Sequence, residues 1–161
     1  RTGDIDTSLV VYLMEKEGIT DKDEMLRILN NESGLLGISE YSNDFRDLIE
    51  ASEAGKHQAE LALRIFEDRI IKYIGQYATT MGGLDVLVFT AGIGENDIFR
   101  RKNIVDGLSV FGAKIDLEAN NVRGEARIIS AEDSKVKILL VPTDEELRIA
   151  RDVEQFIHLK K

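Results

Sequence analysis

The sequence predicts an α/β fold, and three observations carry that reading. Val86 to Phe89 is a continuous β-prone run, followed by a glycine-bearing turn and a helical segment from about Asp97 to Gly107. Val136 to Val141 is almost wholly apolar and leads through a turn into an amphipathic segment from Asp144 to about His158. The first half of the chain instead repeats its apolar residues at helical spacing.

Taken in order, Ser8 to Gly18 places apolar residues at 9, 10, 13 and 14, with Gly18 as the stop. Thr20 and Asp23 have capping-box spacing, with Asp in place of Glu, ahead of Met25, Ile28 and Leu29. A glycine-bearing stretch, Ser33 to Ser42, precedes a helix expected from Asn43 to about Ala54. The longest helix is expected from Lys56 to Tyr77, with Ala62, Phe66, Ile70, Tyr73 and Tyr77 on one side, and Met81-Gly82-Gly83 ends it. Ala126 to Ser130 is a further strand candidate. Runs as apolar as 86–89 and 136–141 suit strands covered on both faces of a parallel sheet. If those two strands run parallel, both following turns open onto one crevice at their carboxyl ends, where ligands of open α/β sheets bind.

Composition narrows the partners. The 161 residues are 43% hydrophobic and 32% charged, enough for a packed core and too balanced for disorder. A formal charge of −9 argues against nucleic acid, because no basic cluster could neutralise a phosphate backbone. A nucleotide needs only a local cradle, so it stays open. The longest apolar runs, Leu9 to Met14 and Ile138 to Val141, are too short to span a bilayer. Cysteine is absent, which removes disulfides, thiolate zinc sites and cysteine nucleophiles, and fits a cytoplasmic protein. The chain opens at Arg1 within a polar stretch rather than at methionine, as expected for a piece of a longer protein or a processed terminus.

The chemistry is concentrated in a few turns. In Thr90-Ala91-Gly92-Ile93-Gly94-Glu95-Asn96, two glycines allow close backbone approach to a ligand. Amides at the following helix start would face an anion, worth roughly 0.3–1 kcal/mol from the helix dipole alone. An ordinary strand-to-helix turn with Asn96 as N-cap is the structural alternative. Two familiar phosphate motifs do not fit. A dinucleotide fingerprint needs Gly or Ala at 97, where Asp stands. The Gly55-Lys56 pair is followed by His57 and has Glu50 where a Walker loop needs glycine.

In Pro142-Thr143-Asp144-Glu145-Glu146-Leu147, Thr143 and Glu146 have capping-box spacing. That leaves Glu145 either as a carboxylate for Mg²⁺ or as an exposed acid favoured by the helix dipole. Asn43-Asp44-Phe45-Arg46 opens a helix, so Asn43 or Asp44 suits a cap, and Arg46 could pair with Glu50. In Arg1-Thr2-Gly3-Asp4-Ile5-Asp6, Asp6 or Thr7 suits a cap, while Arg1 suits forked bonding to a phosphoryl group. His57 and His158 lack metal-ligand spacing and read as surface residues.

Four of these segments together resemble the acetate kinase family: Arg-Thr-Gly-Asp-Ile-Asp (1–6), Ser-Asn-Asp-Phe-Arg-Asp (42–47), Val-Phe-Thr-Ala-Gly-Ile-Gly-Glu-Asn (88–96) and Pro-Thr-Asp-Glu-Glu-Leu (142–147). Order and spacing match across essentially the whole chain. The resemblance implies a ribonuclease-H-like lobe of the acetate and sugar kinase, heat-shock chaperone and actin superfamily, with a mixed sheet and flanking helices. It implies that residues 1–161 are the C-terminal, nucleotide-binding lobe, without the N-terminal lobe that carries the acetate pocket, a catalytic aspartate, a histidine and a metal-site asparagine.

By the same resemblance, Asp44, Phe45 and Arg46 contact the adenosine end of ATP, and Gly92, Ile93, Gly94, Glu95 and Asn96 lie along its phosphates. Glu145 is associated with Mg²⁺, and Arg1 stabilises the transferring phosphoryl group. The family usually has Pro where this chain has Thr7, which loosens that helix entry without removing a functional group. The full enzyme would pass the γ-phosphoryl of ATP to acetate, giving acetyl phosphate and ADP, as a homodimer, and this lobe would be inactive alone. A propionate or butyrate kinase lobe is the alternative acceptor reading. A non-catalytic nucleotide-binding or dimerisation module is the alternative of a different class.

Overall fold

The computed structural model describes residues 1–159. It divides into two compact units, Arg1–Arg69 and the remainder from Ile70 onward. The first is helical, and the second holds a three-stranded mixed sheet with helices, so the α/β expectation is met.

In the first unit, α1 (Thr7–Glu17) is capped by Asp6, whose side chain accepts from the Ser8 amide at 2.7 Å, and it stops at Gly18 as expected. Helix α2 (Lys22–Arg27) begins one residue away from the expected box. Asp21, not Thr20, takes the Asp23 amide at 2.9 Å, because its carboxylate both accepts and opposes the positive helix end. A π-helical turn, Ile28–Glu32, follows.

The glycine-bearing stretch at 33–42 contains a short helix, α3 (Gly34–Ser39), which the glycines obscured in the sequence. Its Leu35 and Ile38 pack onto the core of this unit. Gly34 has φ of 61°, and a Cβ there would lie 2.3 Å from the Arg1 carbonyl oxygen, so the amino-terminal segment passes directly over it. The Thr2 amide adds a bond to the Leu29 carbonyl at 2.8 Å.

Helices α4 (Phe45–Glu53) and α5 (His57–Met81) supply Leu48, Ala51, Ala59, Ala62 and Leu63 to that core. Small alanines at 51, 59 and 62 leave room for Leu48 and Leu63, each at most 1% exposed. Helix α5 runs four residues beyond the expected Tyr77 before Gly82 and Gly83 end it.

In the second unit, the end of α5 contributes Ile70, Ile71 and Ile74 to a larger core. Its sheet has the order β1–β3–β2, from β1 (Val86–Phe89), β2 (Arg127–Ile128) and β3 (Lys137–Leu140). Strands β1 and β3 are parallel, with Leu87 opposite Ile138 and Phe89 opposite Leu140, while β2 runs antiparallel to β3. The expected strand at 126–130 is reduced to two residues plus an isolated bridge between Ser130 and Ile115.

Burial follows a period of two. Phe89, Ile138 and Leu140 enter the core, whereas Val86 and Val88 are each 48% exposed. The expectation of strands covered on both faces is therefore corrected: within this unit β1 is buried on one face. Beyond β1 come α6 (Ala91–Asn96) and α7 (Ile98–Asp106), then a 3₁₀ turn at Ser109–Phe111. Helix α8 (Glu145–Leu159) closes the described chain, with Leu147, Ile149, Val153 and Ile157 exposed. His57 is exposed, and the side chain of His158 lies outside the described residues.

Candidate functional site

The sequence-predicted residues divide between the units: Arg1 and Asp44–Arg46 belong to the first, and Gly92–Asn96 and Glu145 to the second. Each group is built by a different local device.

In the first unit, Asp44 is the N-cap of α4, accepting from the Arg46 amide at 2.8 Å. The same carboxylate takes the Arg46 guanidinium in a fork, at 3.2 Å from Nε and 2.8 Å from Nη2. Arg46 therefore makes its direct pair with Asp44, and Glu50 acts on it only as a weaker, more distant charge. The guanidinium contact, then the amide, hold the Asp44 carboxyl well down, at a pKa of about 2. Asp44 is itself placed by Ser42, whose Oγ accepts from the Asp44 amide at 3.0 Å and donates to Asp47. The Phe45 ring is half-buried edge-on against Phe66, with centroids 4.9 Å apart. Arg1 is exposed. Asp4, two residues further on than Thr2, pairs with Arg69 at 3.1 Å.

In the second unit, the parallel pairing of β1 and β3 puts both following turns at carboxyl ends of adjacent strands, as the sequence geometry anticipated. The first turn is tighter than expected. Residues 91–96 form the short helix α6, entered at Thr90 without a side-chain cap. Ala91 has φ of 59°, a left-handed conformation that costs a non-glycine residue about 1 kcal/mol or more and concentrates at functional sites.

The two glycines have different surroundings. Gly92 is exposed, and a Cβ built on it meets nothing within 4 Å. Gly94 instead faces β1, where a Cβ would touch Phe89 at 3.5 Å. The open approach thus belongs to Gly92, and Gly94 serves the packing of the turn on its strand.

Asn96 folds back, its Nδ2 donating to the Gly92 carbonyl at 2.9 Å. It is not the cap of the next helix. Asp97 has that role, accepting from the Arg100 amide at 2.9 Å.

The second turn also departs from the expected capping box. Thr143 does not cap α8: its amide and Oγ1 both donate to Glu95 Oε1, at 2.8 and 2.9 Å. Asp144 takes over, accepting from the Leu147 amide at 2.9 Å. This leaves Glu146, like Glu145, exposed in the first turn without a capping bond of its own. Glu95 thereby ties the two turns together, with Glu145 two residues beyond the tie.

The Thr143 amide, then its hydroxyl, lower the Glu95 pKa, with a smaller part from the Ala91 amide. A lowered carboxylate pKa gives a link present above the ordinary Glu range and lost as pH falls through the lowered value. In a carboxyl NMR titration, Glu95 should titrate below the ordinary glutamate range, and the Thr143 amide should move with it. A Thr143 amide that ignores the Glu95 titration would rule out the tie.

Sequence reasoning missed Arg101, the most enclosed polar group at this site. It is 0% exposed, and all its guanidinium donors are used. Nε donates to Asn120 Oδ1 at 2.7 Å, and Nη1 to the Gly94 and Glu95 carbonyls, each at 2.9 Å. Nη2 donates to the Asn120 carbonyl at 2.8 Å and the Val122 carbonyl at 2.7 Å. Burial lowers its pKa, opposed by nearby Asp97 and reinforced by Arg123. Its signal in the sequence was phase: Ile104, Val105 and Leu108, the buried apolar residues of α7 and the turn after it, lie three, four and seven positions on.

Among the described residues, no cluster of three or more His, Cys, Asp or Glu side chains could hold a metal. Nor is any helix among them long and apolar enough to cross a membrane.

The chain resembles known kinases throughout. It is 56% identical over 154 residues to the acetate kinase of Fructilactobacillus sanfranciscensis, covering 96% of this chain and 38% of that protein. The crystal structure of Porphyromonas gingivalis acetate kinase superposes with a TM-score of 0.89 at 40% identity, over 98% of this chain and 39% of that one. A propionate kinase from Francisella tularensis superposes with a TM-score of 0.83 at 39% identity, over 93% and 38% of the two chains. The chain thus spans less than half the length of these relatives. The sequence model described as the Acetokinase family matches residues 1–151, and the chain belongs to that family.

Proposed function

We propose that this chain is the nucleotide-binding part of a phosphotransferase that passes the γ-phosphoryl group of ATP to acetate, giving acetyl phosphate and ADP. The observation that carries this reading is the paired turn beyond β1 and β3. An exposed, side-chain-free Gly92 stands on one turn, an exposed Glu145 follows the other, and the Thr143–Glu95 hydrogen bonds join the two turns. Phosphoryl transfer asks mainly for positioning and charge neutralisation, and needs no protein nucleophile.

In this reading Gly92, Ile93, Gly94, Glu95 and Asn96 form the phosphate wall. Asp44, Phe45 and Arg46 serve the adenosine end, and Arg1 the transferring group. Gly92 offers the backbone to the phosphates, while Gly94 and Asn96 hold the turn's shape. Phe45, engaged with Phe66, anchors the start of α4 and presents Asp44 and Arg46.

Mg²⁺ fits as a partner of the nucleotide, because it is commonly held by one or two carboxylates plus substrate phosphates. Glu145 supplies one such carboxylate, and the ion would neutralise phosphate charge. The acceptor pocket belongs to the part of the enzyme outside this sequence. The isolated chain is accordingly inactive, and a cytoplasmic homodimer is the setting of the whole protein. The similarity to a propionate kinase keeps propionate as the alternative acceptor.

Calorimetric titration with ATP, with and without Mg²⁺, tests the reading. Binding should be saturable and strengthened by Mg²⁺. Glu145→Ala should remove most of the Mg²⁺ enhancement, whereas Glu146→Ala, with no capping bond to lose, should leave it intact. Equal effects of the two substitutions would contradict the assignment of Glu145. Acetate-dependent ADP release by the purified chain would contradict its inactivity.

A further inference from the structure

We infer that Arg101 is a positioning residue for the turn after β1, clamping the end of α6 to the 120–122 segment so that Gly92–Asn96 keep one shape. The inference rests on the nucleotide reading above only for what the turn binds; the clamp itself stands on geometry. A six-residue helix with a left-handed residue at its entry is too short to hold itself. Two carbonyls of its final turn, those of Gly94 and Glu95, converge on one buried guanidinium nitrogen at 2.9 Å each.

The other guanidinium nitrogens are fixed by a segment about twenty residues further along. Asn120, 1% exposed, accepts from Nε through Oδ1 and from Nη2 through its carbonyl. It also donates from Nδ2 to the Ile98 carbonyl at 3.0 Å, at the start of α7. The Gly124 amide adds a bond to the Glu95 carbonyl at 3.3 Å. The turn is thus gripped from behind at several points while Gly92 stays open in front. The buried charge is balanced by carbonyl dipoles, with the Asp97 carboxylate nearby and no direct carboxylate bond among those that Arg101 makes. Lysine cannot reproduce a planar fork that reaches five acceptors.

Hydrogen–deuterium exchange on the 161-residue chain without nucleotide tests the clamp directly. In Arg101→Lys, amides of 91–97 should exchange about tenfold faster or more, with those of β1 and β3 unchanged. Asn120→Ala should loosen the same residues to a smaller degree, which keeps the test decisive if an Arg101 variant fails to fold. The affinity for ADP with Mg²⁺ should fall with the local loosening, by about tenfold in Arg101→Lys. Unchanged exchange at 91–97 in both variants would overturn the inference. So would an even rise across the whole second unit, which marks a residue that only stabilises the fold. A parent chain that binds no nucleotide counts against the proposed function, while the exchange result still decides the clamp.

Discussion

Ile138→Ala is expected to destabilise the second unit by about 2–5 kcal/mol in urea unfolding, the range for truncating a buried aliphatic side chain. Ile138 is 0% exposed at the centre of β3, the middle strand, opposite Leu87 of β1. Its backbone is committed too, the Ile138 carbonyl accepting from the Ile129 amide at 2.9 Å. The surrounding cluster includes Val105, Leu108, Ile129 and Val136, all at most 1% exposed, so little can collapse into the space left. Leu139, one residue on, lies on the other face and is half-buried. Leu139→Ala should therefore cost less than about 1.5 kcal/mol. Equal costs at 138 and 139 would show that the register of β3 is wrong.

The largest functional effect is expected at Gly92. Gly92→Val should weaken nucleotide binding by about a hundredfold or more, because a branched side chain would occupy the space that a phosphate must enter. A Cβ at this position meets nothing within 4 Å beyond its own helical turn, so the fold should tolerate it, with an unfolding midpoint near that of the parent chain. Gly94→Ala is the control. Its Cβ makes an ordinary contact with Phe89 at 3.5 Å, on the strand side of the turn, and binding should change little. If Gly94→Ala abolished binding and Gly92→Val did not, the assignment of the open face would be reversed. Calorimetry and circular dichroism on the same samples separate loss of binding from loss of fold.

How much of this was legible in the sequence depends on the range of the interaction. The strands at 86–89 and 136–141 announced themselves through continuous apolar runs, and their parallel pairing made the two turns neighbours. Asp6 and Asp44 cap as expected, whereas three other caps were displaced by one residue in a consistent way. Thr20, Asn96 and Thr143 had the right spacing for caps, yet Asp21, Asp97 and Asp144 do the capping. In each case the residue that follows is a carboxylate, a stronger acceptor whose charge also favours the helix amino terminus. Spacing alone undervalued that charge.

Long-range relations were illegible. Arg101 shares the helical phase of Ile104, Val105 and Leu108, which marks its side of α7 as buried, but its partners at 94, 95, 120 and 122 left no local sign. The bond from Thr143 to Glu95, across 48 positions, gave no local sign either. Strand coverage was misjudged because composition cannot say which elements are present to cover a face, and Val86 and Val88 stand exposed in this unit.

The central claim is that nucleotide phosphate is held at the turns following β1 and β3. The most direct test is an amide NMR titration of the chain with ADP and Mg²⁺, read residue by residue. Saturable shifts at Gly92 to Asn96 and at 143–146, together with loss of both in Gly92→Val, are the expected result. Saturable binding that leaves those amides unmoved and shifts others instead would contradict it.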